Sequence, residues 1–496
     1  MSRLSDRAFA VYLAAMLAAY PLLRGGMDVW SQTIIQSALL GGFCVWVVSA
    51  LPARVTALPL CAAVWWLACW ALSPAPGLCR EAALNWITGI AVFYCAALLP
   101  DRERGKIFSA AAAVSWFMLA VAAYQLLRGD DMTGSFANRN VFADWLLLIA
   151  PAMLARGKWF QAAAFIAAIA LTRSRAALAA LALIFIFRLA LSGGILKKAA
   201  ALAGALLLGA AAFRADIFSL VQRLGWWQAA LDMIRARPLA GFGPGTYGFV
   251  YPAFHVPGSG EFSSIWAHCY PLQLAAETGV MATAVWLGWI VWRLRPAFAG
   301  PQDPGQTVPV GAREAVAAGL VMSLGDYALA APPVFLLFCW WLGCLAPSPR
   351  ETPPDCARPK IPSLIFGLCA AALAVFACTR QHDMDVKLIR ARSLSDSGRT
   401  EESFSPLREI CARHPGEPSA ALMLARAYGA AALSRKDGAY LADAAAAYEE
   451  ALRRNPFHPA VYDELAKIYS LLGDKRLVAD VYIRKASWIK WWQNRG

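Results

Sequence analysis

"RERGKIFSAAAAVSWFMLAVAAYQLLRGDD", Arg102 to Asp131, decides the fold. Basic residues come first, then about twenty residues without a charge, then a polar turn. At 1.5 Å per residue, such a run rises about 30 Å as a helix, the depth of a bilayer's hydrocarbon core. Comparable runs recur through the first three-quarters of the chain. The whole sequence of 496 residues is 59% hydrophobic and 16% charged, with mean hydropathy +0.48. That is too apolar for an ordinary water-soluble protein. Twenty tryptophans suit aromatic belts at the two membrane interfaces.

The runs predict an all-α, polytopic membrane bundle of about thirteen spans. They lie near 7–24, 29–51, 55–73, 83–100, 107–127, 140–155, 159–172, 176–193, 198–213, 268–292, 312–330, 331–347 and 361–378. Loop charge tests the order. With Arg3 and Arg7 cytoplasmic, every second loop should be basic. Arg54, then Arg102, Arg104 and Lys106, then Arg156 and Lys158, then Lys197 and Lys198, then Arg293 and Arg295, then Arg350, Arg358 and Lys360 fall where the alternation requires. The formal charge of +14 therefore sits in short loops, not in one patch, which favours a membrane over nucleic acid. The N-terminal "MSRLSDRAFAVYLAAMLAAYPLLRGG" is basic, then apolar for too long, with no small-residue cleavage site after it. It reads as an uncleaved first span. Most of the twelve cysteines, such as Cys44, Cys61, Cys69, Cys339 and Cys344, lie inside apolar runs and pack as small hydrophobes. Their spacing offers no metal site and no disulfide framework.

Two loops on the outer side are basic where the rule disfavours it. "ALTRSRAAL" carries Arg173 and Arg175. The long loop, about 214–267, carries Arg214, Arg223, Arg235 and Arg237. Misplaced cations point to an anionic ligand at the outer surface. Snorkelling, or pairing with Asp216 and Asp232, is the plainer alternative.

An odd number of spans places 379–496 outside, as a soluble helical domain after the membrane domain 1–378. "PSAALMLARAY" (Pro418 to Tyr428) aligns with "PAVYDELAKIY" (Pro459 to Tyr469), each preceded by a proline-rich turn, "HPGEP" and "NPFHP". This resembles tetratricopeptide repeats, stacked helix pairs with a period of about 34 residues, here with an insertion. A concave face of that kind offers a surface to a protein partner; a plain helical cap is the alternative.

Four outer segments carry polar chemistry. In "RGDDMTGSFANRNVFADWL", Asn138 and Asn140 are placed to cap the following helix. Asp130 and Asp131 are expected to be solvated loop carboxylates, not metal ligands. In "LTRSRAAL", Arg173 and Arg175 stand two apart at a helix start, where a guanidinium, backbone N–H groups and the helix dipole suit a phosphate. In "RLGWWQAALDMIRARPLAGFGPG", Arg223 opens a helix with Trp226 and Trp227. "GFGPG" lacks the lysine of a phosphate loop and reads as a structural turn. In "SSIWAHCYPLQLAAETGV", His268 stands at the mouth of a helix on which Gln273 and Glu277 share a face. Glu277, and Asp326 in "LVMSLGDYAL", are acids inside apolar runs. Each is either a buried partner of an arginine or part of a site.

Taken in order, "GSFANRNVFADWLL", "LTRSRAALAAL", "R…W…RPLAGFGPG", "AHCYPLQLAAETG" and "SLGDYALAAPP" resemble the O-antigen ligase and O-antigen polymerase superfamily over about 130–345. The resemblance implies a GT-C-like membrane glycosyltransferase of the bacterial inner membrane, inverting at the sugar. It would move a glycan from undecaprenyl diphosphate to a hydroxyl acceptor on the outer face, with no metal and no cofactor. Carried over by motif, Arg175 and Arg223 bind the diphosphate and His268 acts on the acceptor. Arg173, Asn138, Asn140, Gln273, Glu277 and Asp326 are expected to support them. One departure stands out: the family's asparagine after the histidine is Cys269 here. Lipid A-core sugar, a growing glycan and a protein hydroxyl remain open as acceptors. The chemistry is consistent with the resemblance, because arginines stabilise a departing diphosphate and histidine accepts a hydroxyl proton near neutral pH. A transporter of lipid-linked polyanions is the alternative from another class, but the spans show no internal repeat.

Overall fold

The computed structural model describes residues 2–26, 28–50, 57–191, 194, 217–255, 264–295, 311–346, 361–435 and 437–489. Among these residues every regular element is helical. The first apolar runs form α1 (Ser2–Leu22), α2 (Val29–Ala50), α3 (Ala57–Ala71), α4 (Arg80–Leu98), α5 (Asp101–Leu127), α6 (Arg139–Ala155), α7 (Trp159–Leu171) and α8 (Arg175–Leu191). The long loop contains α9 (Ile217–Ala236) and α10 (Tyr247–Phe254). There follow α11 (Tyr270–Thr278), α12 (Val280–Arg293), α13 (Ala312–Ser323), α14 (Pro332–Cys344) and α15 (Ile361–Asp396). The chain ends in α16 (Phe404–Arg413), α17 (Pro418–Arg435), α18 (Ala439–Arg454), α19 (Pro459–Leu471) and α20 (Lys475–Trp488). The expected span near 198–213, with Arg214 and Asp216, lies outside the described residues.

Pro76–Leu98 and Asp101–Leu127 are long and apolar enough to cross a membrane; Leu58–Ala71, Trp159–Leu171, Val280–Arg293 and Pro332–Cys344 are shorter apolar helices. The bundle is thus built from helices of unequal length, and two expected spans are broken. The run 268–292 divides at Gly279, whose φ is 90°. Of its two parts, α11 packs outward: Ala276 and Leu272 join a core shared with the C-terminal helices. Tyr270 and Leu274 on the same helix join the bundle core, so α11 bridges the two cores. The run 312–330 stops as a helix at Ser323 and continues as an irregular turn through Asp326 to a 3-10 turn, Ala328–Ala330.

Aromatic packing fixes the bundle. Trp66 of α3 stacks on Trp86 of α4 at 3.8 Å, and Trp86 meets Trp286 and Phe335 edge-on at 5.8 and 4.6 Å. Such pairs add about 0.5–1.5 kcal/mol each beyond the area they bury. Arg104, expected as a loop charge, is 2% exposed. Its guanidinium donates to the carbonyls of Ala97 at 2.9 Å and Ala346 at 3.1 Å and pairs with Asp101 at 3.2 Å. It ties the ends of α4, α5 and α14 together, since a buried guanidinium must fill its donors locally.

The α15 helix lies along α2 and runs unbroken across residues 378 and 379 as far as Asp396, where a turn leads to the C-terminal helices. The aligned segments beginning at Pro418 and Pro459 form α17 and α19, each opening with proline in its first turn, where a missing N–H costs nothing. Buried Arg454 donates to the carbonyls of Cys411, Glu417 and His414 at 2.9, 2.8 and 3.1 Å, which holds the "HPGEP" turn against α18. The second core joins these helices to the long loop: Phe457, in "NPFHP", meets Phe242, in "GFGPG", edge-on at 5.6 Å.

Candidate active site

His268 does not lie on a helix. Its φ is 48°, and α11 begins two residues later, after Cys269. Among the described residues only Arg173, at φ 58°, is another non-glycine in the left-handed region. Such a conformation costs on the order of 1 kcal/mol for a residue with a β-carbon. Both residues belong to segments singled out by their polar chemistry.

The imidazole of His268 is boxed in. It stacks on Trp226 of α9 at 4.4 Å, with the rings 23° from parallel. It meets Tyr327 edge-on at 5.2 Å. Trp266 stacks on the same tyrosine at 5.2 Å. Nδ1 lies 3.5 Å from Asp326 Oδ1, close enough for an ionic contact but not aligned as a hydrogen bond. Asp326 is 1% exposed, while the histidine side chain keeps 21% of its surface. A carboxylate below Nδ1 favours a proton there, which leaves Nε2 as an acceptor toward the open side.

Asp326 is held by its own turn. Oδ1 accepts from the Tyr327 N–H at 2.7 Å, and the Tyr327 hydroxyl accepts from the Asn138 amide at 2.8 Å. Asn138 does two jobs, because its carbonyl oxygen also caps α6 by accepting from the Asn140 N–H at 2.7 Å. Arg223 of α9 donates to the Gly325 carbonyl, next to Asp326. Gly325 marks where the pieces converge. A β-carbon built there would lie 3.9 Å from Ala176 Cβ, in the first turn of α8, and 4.0 Å from Arg223 Nη1. The start of α8 carries Arg175, whose neighbour is Ala176, and Arg175 and Arg173 are both exposed. Neither has an acidic partner among the described residues. Of the acids offered as local partners, Asp232 is taken by Arg235, and Asp216 lies outside the described residues; Asp131, expected as a solvated carboxylate, pairs with Arg139 at 3.2 Å and stays exposed.

Glu277 is not an arginine's partner. Its Oε2 accepts from the Gly245 N–H at 2.8 Å, and its Oε1 from the Tyr247 N–H and Gln273 Nε2, each at 3.2 Å. Burial pushes its pKa up to about 7, with the three donors pulling the other way. The "GFGPG" turn is structural. Phe242 and Gly243 donate to the last carbonyls of α11, Ala276 and Glu277, at 3.0 and 2.8 Å. The fit needs glycine at Gly241: φ is 62°, and a β-carbon would lie 2.3 Å from the Glu277 carbonyl carbon.

Two hydrogen-bonded routes connect Glu277 to His268 without a direct contact. By one, Gln273 Oε1 accepts from the Ala267 N–H at 3.3 Å, one residue before the histidine. By the other, Tyr247 donates through its hydroxyl to the Trp226 carbonyl at 2.9 Å, and the Trp226 ring carries His268. Cys269, where the family's asparagine was expected, is buried at the start of α11.

The structure thus brings His268, Asp326, Asn138, Arg223 and the start of α8 to one place, with Gln273 and Glu277 as its support. Asn140 contributes a backbone N–H. Asp144, one turn beyond Asn140 on α6, is an addition. It is 1% exposed, and both carboxylate oxygens lack a hydrogen-bond partner among the described residues. A lone acid inside the apolar run "VFADWLLLIAPAML" was the available signal. Among the described residues no group of three or more metal-binding side chains occurs.

Residues 160–287 match the O-antigen ligase family, a family of glycosyltransferase-like enzymes acting on lipid-linked glycans in the inner membrane. The matched stretch contains Arg173, Arg175, Arg223, His268, Gln273 and Glu277. No curated protein matches the chain significantly. The chain is an enzyme of the glycosyltransferase type in polysaccharide biosynthesis.

Proposed function

We propose that the chain transfers a glycan from undecaprenyl diphosphate to an acceptor hydroxyl at the outer face of the inner membrane, with inversion and without a metal. The acceptor oxygen attacks the anomeric carbon from the side opposite the diphosphate. Its proton passes to His268 Nε2, and Asp326 balances the imidazolium that forms. The glycosidic bond to phosphate breaks, and its electron pair leaves with the diphosphate. Arg175 and Arg223 neutralise that charge, and the N–H groups at the start of α8 add to it. In this reading the C-terminal helices also stand outside the membrane, where they can meet a protein partner.

One observation carries the reading. A partly exposed histidine is held at positive φ over a buried carboxylate, and Arg173 and Arg175 nearby have no acidic partner among the described residues. A histidine that merely ended a helix would need neither the strain nor the carboxylate.

The test uses the full-length protein in detergent with an undecaprenyl-diphosphate oligosaccharide, followed by mass. Separate reactions offer lipid A-core, free glycan and a serine- or threonine-containing peptide. His268→Ala is expected to lower kcat by about 10²–10⁴. Arg223→Ala should lower kcat/KM for the donor by at least about tenfold, and Arg223→Lys should restore little, since one ammonium cannot reproduce the guanidinium fork. Transfer at the wild-type rate by either alanine variant would sink the proposal.

A further inference from the structure

Two turns between the C-terminal helices, "HPGEP" and "NPFHP", press on the segments around "GFGPG", and the mechanism above gives them no task. In the first, Gly416 meets Gly77 backbone to backbone: a β-carbon at Gly416 would lie 2.8 Å from the Gly77 Cα. Gly77 belongs to the 3-10 turn Pro76–Cys79, and the segment 73–79 supports "GFGPG" in its own right. A β-carbon at Gly243 would lie 2.5 Å from Cys79 Sγ, and Ser73 Oγ donates to the Phe242 carbonyl at 2.6 Å. In the second turn, Phe457 is 1% exposed and meets the Phe242 ring edge-on at 5.6 Å. Phe457 is also held by Trp488, edge-on at 5.2 Å, and its N–H donates to Asn455 Oδ1 at 3.1 Å.

The "GFGPG" turn needs such support. Its three glycines stand at φ 62°, 109° and 73°, and glycine has more backbone freedom to lose on ordering than any other residue. What the turn holds is α11, whose Ala276 and Glu277 carbonyls accept from Phe242 and Gly243. That helix begins two residues after His268.

We infer that the two turns are a working part of the active site. They fix "GFGPG" against α11, and Phe457 is a positioning residue for His268, acting through Phe242 and α11. Both turns are then occupied by the enzyme's own loops, and a protein partner would meet other faces of the C-terminal helices. The inference rests on the catalytic role proposed for His268.

The experiment compares Phe457→Ala, Phe457→Leu, Gly416→Ala, Tyr428→Ala and His268→Ala as full-length proteins in detergent. Each receives the oligosaccharide donor and an acceptor that the wild type uses, at a temperature below every unfolding midpoint. Tyr428→Ala is the stability control, because the Tyr428 ring packs on Phe404 and Tyr440 and belongs to neither turn. Phe457→Ala is expected to lower kcat by about tenfold or more, since a shift of about 1 Å at a catalytic group can cost about 10²-fold. The donor KM should stay within about twofold. Leucine refills most of the ring's volume and should recover most of the loss. Gly416→Ala pushes the first turn off Gly77 and should lower kcat through an independent contact. Tyr428→Ala should lower the unfolding midpoint and keep kcat within about twofold of wild type. Wild-type kcat in Phe457→Ala or in Gly416→Ala, with His268→Ala inactive, would overturn this inference and leave the proposed function standing. So would an equal loss of kcat in Tyr428→Ala, which would reduce the effect to stability alone. An active His268→Ala would overturn both.

Discussion

Glu277 offers the sharpest test of how the outer loop supports the site. Its carboxylate is fully buried and accepts from Gly245, Tyr247 and Gln273. Burial raises its pKa from 4.5 to about 7. A carboxyl whose folded pKa is raised binds its proton more tightly in the native state. Its stabilising contribution is therefore complete below about pH 4.5 and is lost as pH rises through about 7. A shift of that size corresponds to about 3 kcal/mol. Glu277→Gln removes the titration, and the amide resembles the protonated acid. Between pH 4.5 and about pH 7.5, the stability difference should therefore move by about 3 kcal/mol in favour of the glutamine variant.

Activity should move the other way. The ionised carboxylate accepts on both oxygens. A glutamine in its place keeps one acceptor and turns an NH2 group toward a backbone N–H that had donated at 2.8 Å. The Gly245 turn must shift to avoid that clash, and Tyr247 and Trp226 shift with it. A displacement of about 1 Å at a catalytic group can cost about 10²-fold in rate. Unfolding followed by tryptophan fluorescence in detergent between pH 4.5 and 8.5, beside the transfer assay, reads both effects. The expected variant gains stability on wild type as pH rises to 8 and is slower by about 10–100-fold. A stability difference between the two proteins that does not change with pH would refute the burial argument. Unchanged kcat would refute the support role.

Gly241→Ala should destabilise by about 1–3 kcal/mol, because φ is 62° and the new methyl would press on the Glu277 backbone; a wild-type unfolding midpoint would contradict the turn's geometry. Phe457→Ala removes the edge-on contact with Phe242 and should expose the junction between the long loop and the C-terminal helices, read as faster cleavage there under limited proteolysis. Arg173→Gly relieves a left-handed arginine and should stabilise by up to about 1 kcal/mol while weakening donor binding; a variant with wild-type KM would remove Arg173 from the site.

The sequence was informative wherever one residue type met one physical requirement. Long apolar runs identified the helices, and proline at 418 and 459 marked two helix starts. "GFGPG" was read as a structural turn, and its N–H groups do bond the carbonyls of α11; Asn138 was readable as a cap. What was hidden needed three dimensions. An unbroken apolar count from 268 to 292 does not show that Gly279 turns the chain, because glycine is also tolerated within membrane helices. Arg104 read as a loop charge because the contact that buries it against α14, the Ala346 carbonyl, is 242 residues away in the sequence. Asp144 was passed over inside an apolar helix because the elements that helix packs against, α13 and the Ala328–Ala330 turn, are far away in the chain. Glu277 was left open between an arginine's partner and a part of the site; two backbone N–H groups, which no side-chain pattern reveals, and Gln273 are its donors.

The two strained residues make the strongest case that these local facts belong to one site. A left-handed arginine just after the end of α7 stands where a glycine would relieve the strain at no steric cost. A left-handed histidine just before α11 is likewise a place where the fold alone would favour glycine or asparagine. Stability cannot explain why a β-carbon sits at either position, since each costs energy that a smaller residue would avoid. Both lie in the matched segment, and both adjoin the groups that converge at Gly325: Arg173 is next to the α8 start beside it, and His268 faces the Asp326 that follows it. Strain of this kind persists when the side chain's direction matters more than its backbone's comfort. In the proposed mechanism one of them stands beside the start of α8, where a diphosphate would be held, and the other over Asp326, where a hydroxyl would attack.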